Sequence, residues 1–188
     1  TIFYNLLQHI QMTILCYCSN NIDLQKARDL SIFLERINES SSSEIRALTS
    51  TLKGCDLIRA SIRSDISVDS LNTIILSEDD SEKANVSEIY ESFHVSRLRE
   101  YYYLHIKRDD AFDTYITGLI RTFLHYLSEN RVHVVVFEPL ESPISITAPI
   151  LDAVSRFLNI TIYHPHNAIF EGRFYLYKNL FRESETLF

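Results

Sequence analysis

Glycine is scarce in this chain, occurring only at Gly54, Gly118 and Gly172 of 188 residues. A G-x-G-x-x-G turn or a P-loop needs several glycines close together, so a dinucleotide or nucleoside triphosphate held by that mechanism is excluded. Cysteine is equally rare. Cys16, Cys18 and Cys55 are an odd number and too few for a disulfide framework. Cys16-Tyr17-Cys18 lies in an apolar run whose alternate residues share a face, which puts both thiols in the core, reduced; no His or Cys stands at the spacing of a metal site. No apolar run approaches the roughly twenty residues that would span a bilayer. Basic residues are outnumbered 18 to 25, for a net charge of −7. Phosphate-rich partners need a basic face, so nucleic acid and anionic membrane are not expected. Reduced thiols and the lack of a leader-like segment suggest a cytoplasmic protein, in which the Asn38, Asn85 and Asn159 N-x-S/T triplets read as coincidence.

What is present is organised around residues 131–166. Val132-His133-Val134-Val135-Val136-Phe137 and Ile160-Thr161-Ile162-Tyr163-His164 are short apolar β-branched runs, and Ser145 to Leu158 between them has helical spacing. Strands with so few polar residues must be covered on both faces, which predicts adjacent parallel strands joined by a right-handed helical crossover in an open α/β sheet. Ligands in such sheets gather beyond the carboxyl ends of the strands. Here that edge is Glu138-Pro139-Leu140-Glu141-Ser142-Pro143 and Pro165-His166-Asn167.

Upstream, Thr1 to Gln11 has roughly helical spacing, and Thr13 to Cys18 reads as a buried strand broken by Asn20-Asn21. Asp23 then caps a helix to Asn38 through Leu24, Ala27, Leu30, Leu34 and Ile37. Strand, Asn-rich turn, helix is a Rossmann-like opening. Ser41 and Glu44 fit a capping box for a helix from Glu44 to Lys53 with Ile45, Leu48 and Leu52 inward, closed by Gly54. Asp56-Leu57-Ile58-Arg59 is a candidate short strand and Thr73-Ile74-Ile75-Leu76 a better one. The acidic run Glu78 to Glu82 could hold a divalent cation, although an acidic run before a helix is more often a solvated loop that favours the helix N-terminus. A helical insertion is expected over about residues 80–108, with Val86 to Ile106 helical. Its Tyr101-Tyr102-Tyr103 cannot all share one ligand face. Asp109-Asp110 precedes the most strongly patterned helix, Phe112 to Leu127.

The candidate chemistry sits at the strand ends. Glu138 or Glu141 could act as a general base or grip a hydroxyl. Ser145 or Thr147 can cap the following helix, with Pro149 in its first turn, so that its N–H groups point at the same crevice. His164 and His166 alternate and so share a face; donation to a substrate oxygen suits them better than metal binding, for which no third ligand is assignable. Arg173 could bind phosphate or carboxylate through its planar fork, or simply pair with Glu171.

The segment Tyr115 to Phe181 resembles capsular or surface polysaccharide biosynthesis proteins. The likeness is carried by the acid and proline ending the Val132 strand, Leu-Asp-Ala-Val-Ser-Arg-Phe-Leu-Asn-Ile at 151–160, Thr161-Ile162-Tyr163, and Ile169 to Leu180 with its Gly172-Arg173-Phe174. These proteins are similar to glycosyltransferases of two Rossmann-like lobes. The resemblance implies that residues 1–188 form one α/β domain, the N-terminal, acceptor-side lobe of a longer chain. Glu138 or His166 would be the base, Glu141, His164 and Arg173 would bind substrate, and Arg173 would steady phosphate. It further implies a saccharide acceptor, a nucleotide-sugar donor held by a C-terminal lobe beyond Phe188, and no cofactor or metal in this portion; homo-oligomerisation is left open. The rival is a non-catalytic α/β binding or scaffolding domain. A flavodoxin-like or response-regulator-like switch would need an acidic pocket after the first strand, which Cys18-Ser19-Asn20 does not supply.

Overall fold

A computed structural model of the chain describes residues 12–18, 22–74, 83–92, 111–138, 146–167 and 174–177. It is an α/β structure built on a six-stranded sheet. The elements are β1 (Thr13–Cys18), α1 (Leu24–Ser40), β2 (Glu44–Thr49), α2 (Leu52–Ser61), β3 (Ser67–Ser70), α3 (Lys83–Ser92), α4 (Ala111–Glu129), β4 (Val132–Phe137), α5 (Thr147–Phe157), β5 (Thr161–Asn167) and β6 (Phe174–Tyr177). The strands lie in the order β3-β2-β1-β4-β5-β6. The first five run parallel and β6 is antiparallel to β5. This is the open, mainly parallel Rossmann-like sheet that the apolar strands require.

Two hydrophobic clusters cover its two faces. On one side Cys16, Cys18, Ile45, Ala47 and Val68 pack against Ala27, Leu30 and Leu34 of α1 and Cys55 and Ile58 of α2. On the other, Leu15, Tyr17, Leu48, Val135, Phe137 and Ile162 pack against α3, α4 and α5, with the Tyr17 ring edge-on to both Phe123 and Phe137 at 5.8 Å. Odd residues of β1 therefore face α4 and α5, and even residues face α1 and α2. In β4, Val135 and Phe137 face α4 and α5, whereas Val136 packs on the α1 and α2 side. The β1–β4 register shifts between Thr13 and Ile14, where His133 is the extra residue. The Thr13 N–H donates to His133 Nδ1 at 3.2 Å, so a donor displaced by the bulge finds a side-chain acceptor.

The Asp23 cap is as the sequence suggests: its carboxylate accepts from the Lys26 N–H at 2.8 Å. Residues 44–61 are not. Glu44 to Lys53 is no helix; β2 occupies Glu44–Thr49 and α2 starts at Leu52 with Thr51 as its cap. Ile45, Leu48 and Leu52 mimic helical spacing because a strand covered on both faces, with Ala47, Leu48 and Thr49 consecutively buried, loses its period of two. Ser41 Oγ accepts instead from the Ser43 N–H at 2.9 Å, a turn rather than a capping box. Gly54 is not a C-terminal cap. It sits in the first turn of α2, where a Cβ would lie 2.8 Å from Ile22 Cδ1, so a glycine lets the β1–α1 connection press onto the helix. Asp56 to Arg59, expected as a strand, is the middle of α2.

The third strand is Ser67–Ser70, not Thr73 to Leu76; Thr73 ends a 3-10 turn, and Ile75 and Leu76 lie outside the described residues. Its sequence, Ser-Val-Asp-Ser, carries one apolar residue, and pairing with β2 rather than propensity makes it a strand. Within the expected insertion, α3 packs Val86 and Ile89 into the core, and Tyr90 Oη donates to Asp113 at 2.6 Å. The acidic run, the Tyr101 triplet and Thr1 to Gln11 lie outside the described residues. Pro149 falls in the first turn of α5, but Thr147 is the first helical residue and Ile146 the capping position; Ser145 is not described.

Residues 165–167, expected as a loop, continue β5. Pairing with β4 ends at Tyr163, and His164 to Asn167 pair with β6. Asn159 takes a φ of 56° just after α5, while the Ile160 N–H donates to Ser155 O at 2.8 Å, closing the helix into β5.

Candidate functional site

The order of the strands fixes where a crevice can open. Connections leave β1 toward β2 on one side, while β4 continues on the other, so the reversal lies between the carboxyl ends of β1 and β4. Glu138 stands at that point. Its N–H donates to Tyr17 O at 2.9 Å, which carries the β1–β4 pairing one residue past Phe137. Its carboxylate, with a side chain only 1% exposed, lies 3.2 Å from Lys26 Nζ, whose side chain is 31% exposed. Lys26 is in the first turn of α1, and the Asp23 cap fixes that turn relative to the strand ends. A buried carboxylate is retained only with a counter-charge, and Lys26 supplies one from the solvent side.

The thiols beside this pair are inert. Burial pushes the Cys16 thiol up to about 12. Burial, helped by the Glu138 and Cys16 charges, raises the Cys18 thiol well above its usual range. Neither is a nucleophile near neutrality. Burial likewise raises the Tyr17 phenol, the Thr147 hydroxyl opposing it.

His164 belongs to the other side of the sheet. It is fully buried, its ring stacked on Phe137 at 4.3 Å and 23°, and its Nε2 lies 2.9 Å from Asp152 Oδ1 on α5. Arg156, one turn on, donates through Nε to Asp152 Oδ2 at 2.8 Å. Burial pulls the Asp152 carboxyl upward, but the hydrogen bonds and charges of His164 and Arg156 outweigh it and hold it below its ordinary value. With Asp152 ionised, Nε2 is the protonated nitrogen, and His164 Nδ1 finds no hydrogen-bond partner among the described residues.

Strands β4 and β5 are parallel neighbours as expected, yet Glu138 and His164 do not converge. One turns to α1 and the other to α5. Glu141 and Arg173 lie outside the described residues, and His166 is described only as backbone in β5, its Cα opposite Tyr175. Lys26, Asp152 and Arg156 are the residues that sequence reasoning passed over. Asp152 and Arg156 stand four apart on a helix, a visible ion-pair spacing. For Lys26 the only signal is its place in the first turn after the first strand. Among the described residues no group of three or more His, Cys, Asp or Glu could hold a metal ion, and no helix is long and apolar enough to cross a membrane.

No protein-family model and no curated protein matches the chain. The site must therefore be read from its own chemistry.

Proposed function

We propose that this chain binds a saccharide at the β1–β4 crevice, as the acceptor-side lobe of a glycosyltransferase-like protein of surface polysaccharide assembly. The observation that carries the reading is the sequestered Glu138 carboxylate at the reversal point of the sheet, with Lys26 between it and solvent. A buried carboxylate is a strong acceptor for a sugar hydroxyl, and its desolvation is already offset in the empty protein. In the transferase, Glu138 would grip or deprotonate the acceptor hydroxyl, and a nucleotide sugar would supply the glycosyl group from a second lobe. His164, enclosed by Phe137 and Asp152, supports the strand that leads to His166 and does not itself touch ligand. Glu141, His166 and Arg173 retain the roles that the polysaccharide-biosynthesis resemblance gives them.

The second reading is a binding domain without catalysis. It is favoured by the Lys26–Glu138 ion pair, because a carboxylate held in place by a neighbouring ammonium is suited to accepting a hydrogen bond without any chemical step.

A thermal-shift screen of monosaccharides, oligosaccharides and nucleotide sugars tests the proposal. At a concentration one hundred times Kd, a ligand that binds only the folded state stabilises it by about 2.7 kcal/mol, an upward shift of several degrees. A saccharide that produces this shift in the wild type and not in Glu138→Gln supports the reading; a panel without any stabilising saccharide contradicts it.

A further inference from the structure

The outermost strand of an open sheet turns backbone N–H and C=O groups away from its neighbour, and such a row is a template on which another strand can pair. β3 is outermost in the order β3-β2-β1-β4-β5-β6, and among the described residues no strand lies on its far side. Which of its groups face outward follows from register. The Glu44 and Ser50 N–H groups donate to Met12 O and Cys18 O on the β1 side, so the even residues of β2 face β1 and Ala47 and Thr49 face β3. In a parallel pair a residue bonds the two neighbours of the residue opposite it. Val68 lies opposite Ala47 and Ser70 opposite Thr49, so Ser67 and Asp69 make the ladder while Val68 and Ser70 point outward.

Both outward carbonyls are already taken. Val68 O accepts from Arg59 Nε at 2.9 Å, from Nη2 of the same guanidinium, and from Cys55 Sγ at 3.3 Å. Ser70 O accepts from the Thr73 hydroxyl at 2.8 Å. Arg59 stands in the last turn of α2, and its guanidinium ends on the carbonyl that an added strand would need. A forked, charged donor is not readily displaced by a neutral amide. We infer that Arg59 closes the β3 edge against a second copy of this chain, a self-association surface that the fold contains and keeps shut. The pairing it prevents is antiparallel across a two-fold axis, with Val68 of each copy exchanging N–H and C=O bonds with its counterpart. Pairing centred on Asp69 would set two carboxylates opposite each other, which leaves the Val68 register.

The test is sedimentation velocity on the 188-residue chain, with amide hydrogen exchange read at Val68. Arg59→Met keeps the length of the side chain and removes the donor. Arg59→Ala removes the same donor without adding an apolar tip, and so separates edge pairing from stickiness of the methionine. Arg59→Gln puts an amide N–H where Nε stands and should keep the edge closed. The methionine and alanine variants are expected to self-associate at concentrations about tenfold or more below any at which the wild type does, with Val68 exchange slowed about tenfold in the associated form. In the wild type and the glutamine variant the Val68 amide stays unprotected.

A wild type that associates with its Val68 amide protected overturns the inference, because the edge is then open. Folded methionine and alanine variants that associate no more than the wild type overturn it, as does association that leaves Val68 exchange unchanged, which places the contact elsewhere. A glutamine variant that associates like the methionine one overturns the role given to the hydrogen bond. Loss of the fold in both donor-free variants makes Arg59 a structural residue and overturns the guarding role as well.

Discussion

The Glu138–Lys26 pair and the His164–Asp152–Arg156 cluster lie at the same edge of one sheet, on adjacent strands, and do opposite things. On the α1 side an acid is covered by a lysine that keeps contact with water. On the α5 side an imidazole is walled in by Phe137 and held by an aspartate that an arginine also grips. The difference comes from strand alternation, which sends successive side chains to opposite faces. Nearness along a rim is not convergence. A group can reach a ligand in the crevice only if its parity sends it to the open side.

The sharpest way to break this comparison is to remove Asp152. Asp152→Ala leaves a buried His164 and half of the Arg156 fork without their acceptor. A loss of about 3 kcal/mol in urea unfolding is expected, with saccharide binding retained by the protein that remains folded. A loss under 1 kcal/mol would show the cluster to be peripheral.

Next come the two halves of the other pair. Lys26→Met removes the counter-charge from a carboxylate whose side chain is 1% exposed, whereas Glu138→Gln removes it from a lysine that can turn to water. Unfolding free energies should therefore fall by about 2 kcal/mol for the first and by under 1 kcal/mol for the second. Equal losses would mean that the carboxylate is not as sequestered as its geometry implies.

Gly54→Ala should cost about 1–2 kcal/mol, because the new methyl meets Ile22 Cδ1 at 2.8 Å. Ile22→Val deletes that methyl, so the double variant should lose less than the sum of the singles. Strict additivity would contradict the contact, and with it the packing of Ile22 on the first turn of α2.

The smallest effect concerns acid. The Asp152 carboxyl lies below its ordinary value in the folded state, so the folded protein binds fewer protons there than the unfolded chain. Its stabilisation is fully present above the unfolded value of about 4 and is lost as pH falls through the folded one. Unfolding monitored from pH 6 down to pH 2 should lose stability more steeply in the wild type than in Asp152→Asn. Parallel curves would remove the α5 cluster from the account.

Much of the architecture could be read from residues. Asp23 marks the start of α1, the valines mark β4, and the apolar stripe marks α4. The failures have physical causes. β2 is covered on both faces, so Ile45, Leu48 and Leu52 fell by chance on a helical period, and α2 was displaced with it. β3 owes its strand to pairing and shows no signal in Ser-Val-Asp-Ser. Of the site, Glu138 was visible as an acid after an apolar strand. Lys26 was not, because its meeting with Glu138 joins residues more than a hundred positions apart. The separation of His164 from Glu138 follows once each strand's inward parity is known, and only the contacts of β1 with the two helical layers reveal that parity.

The most direct measurement is a ¹H–¹⁵N titration of the chain with whichever glycoside binds, followed residue by residue. The account predicts that the largest shifts fall on Cys18, Lys26 and Glu138 at the β1–β4 reversal, with His164 and Asp152 little moved. Shifts centred on His164, Asp152 and Arg156 would place the ligand on the α5 side and contradict it.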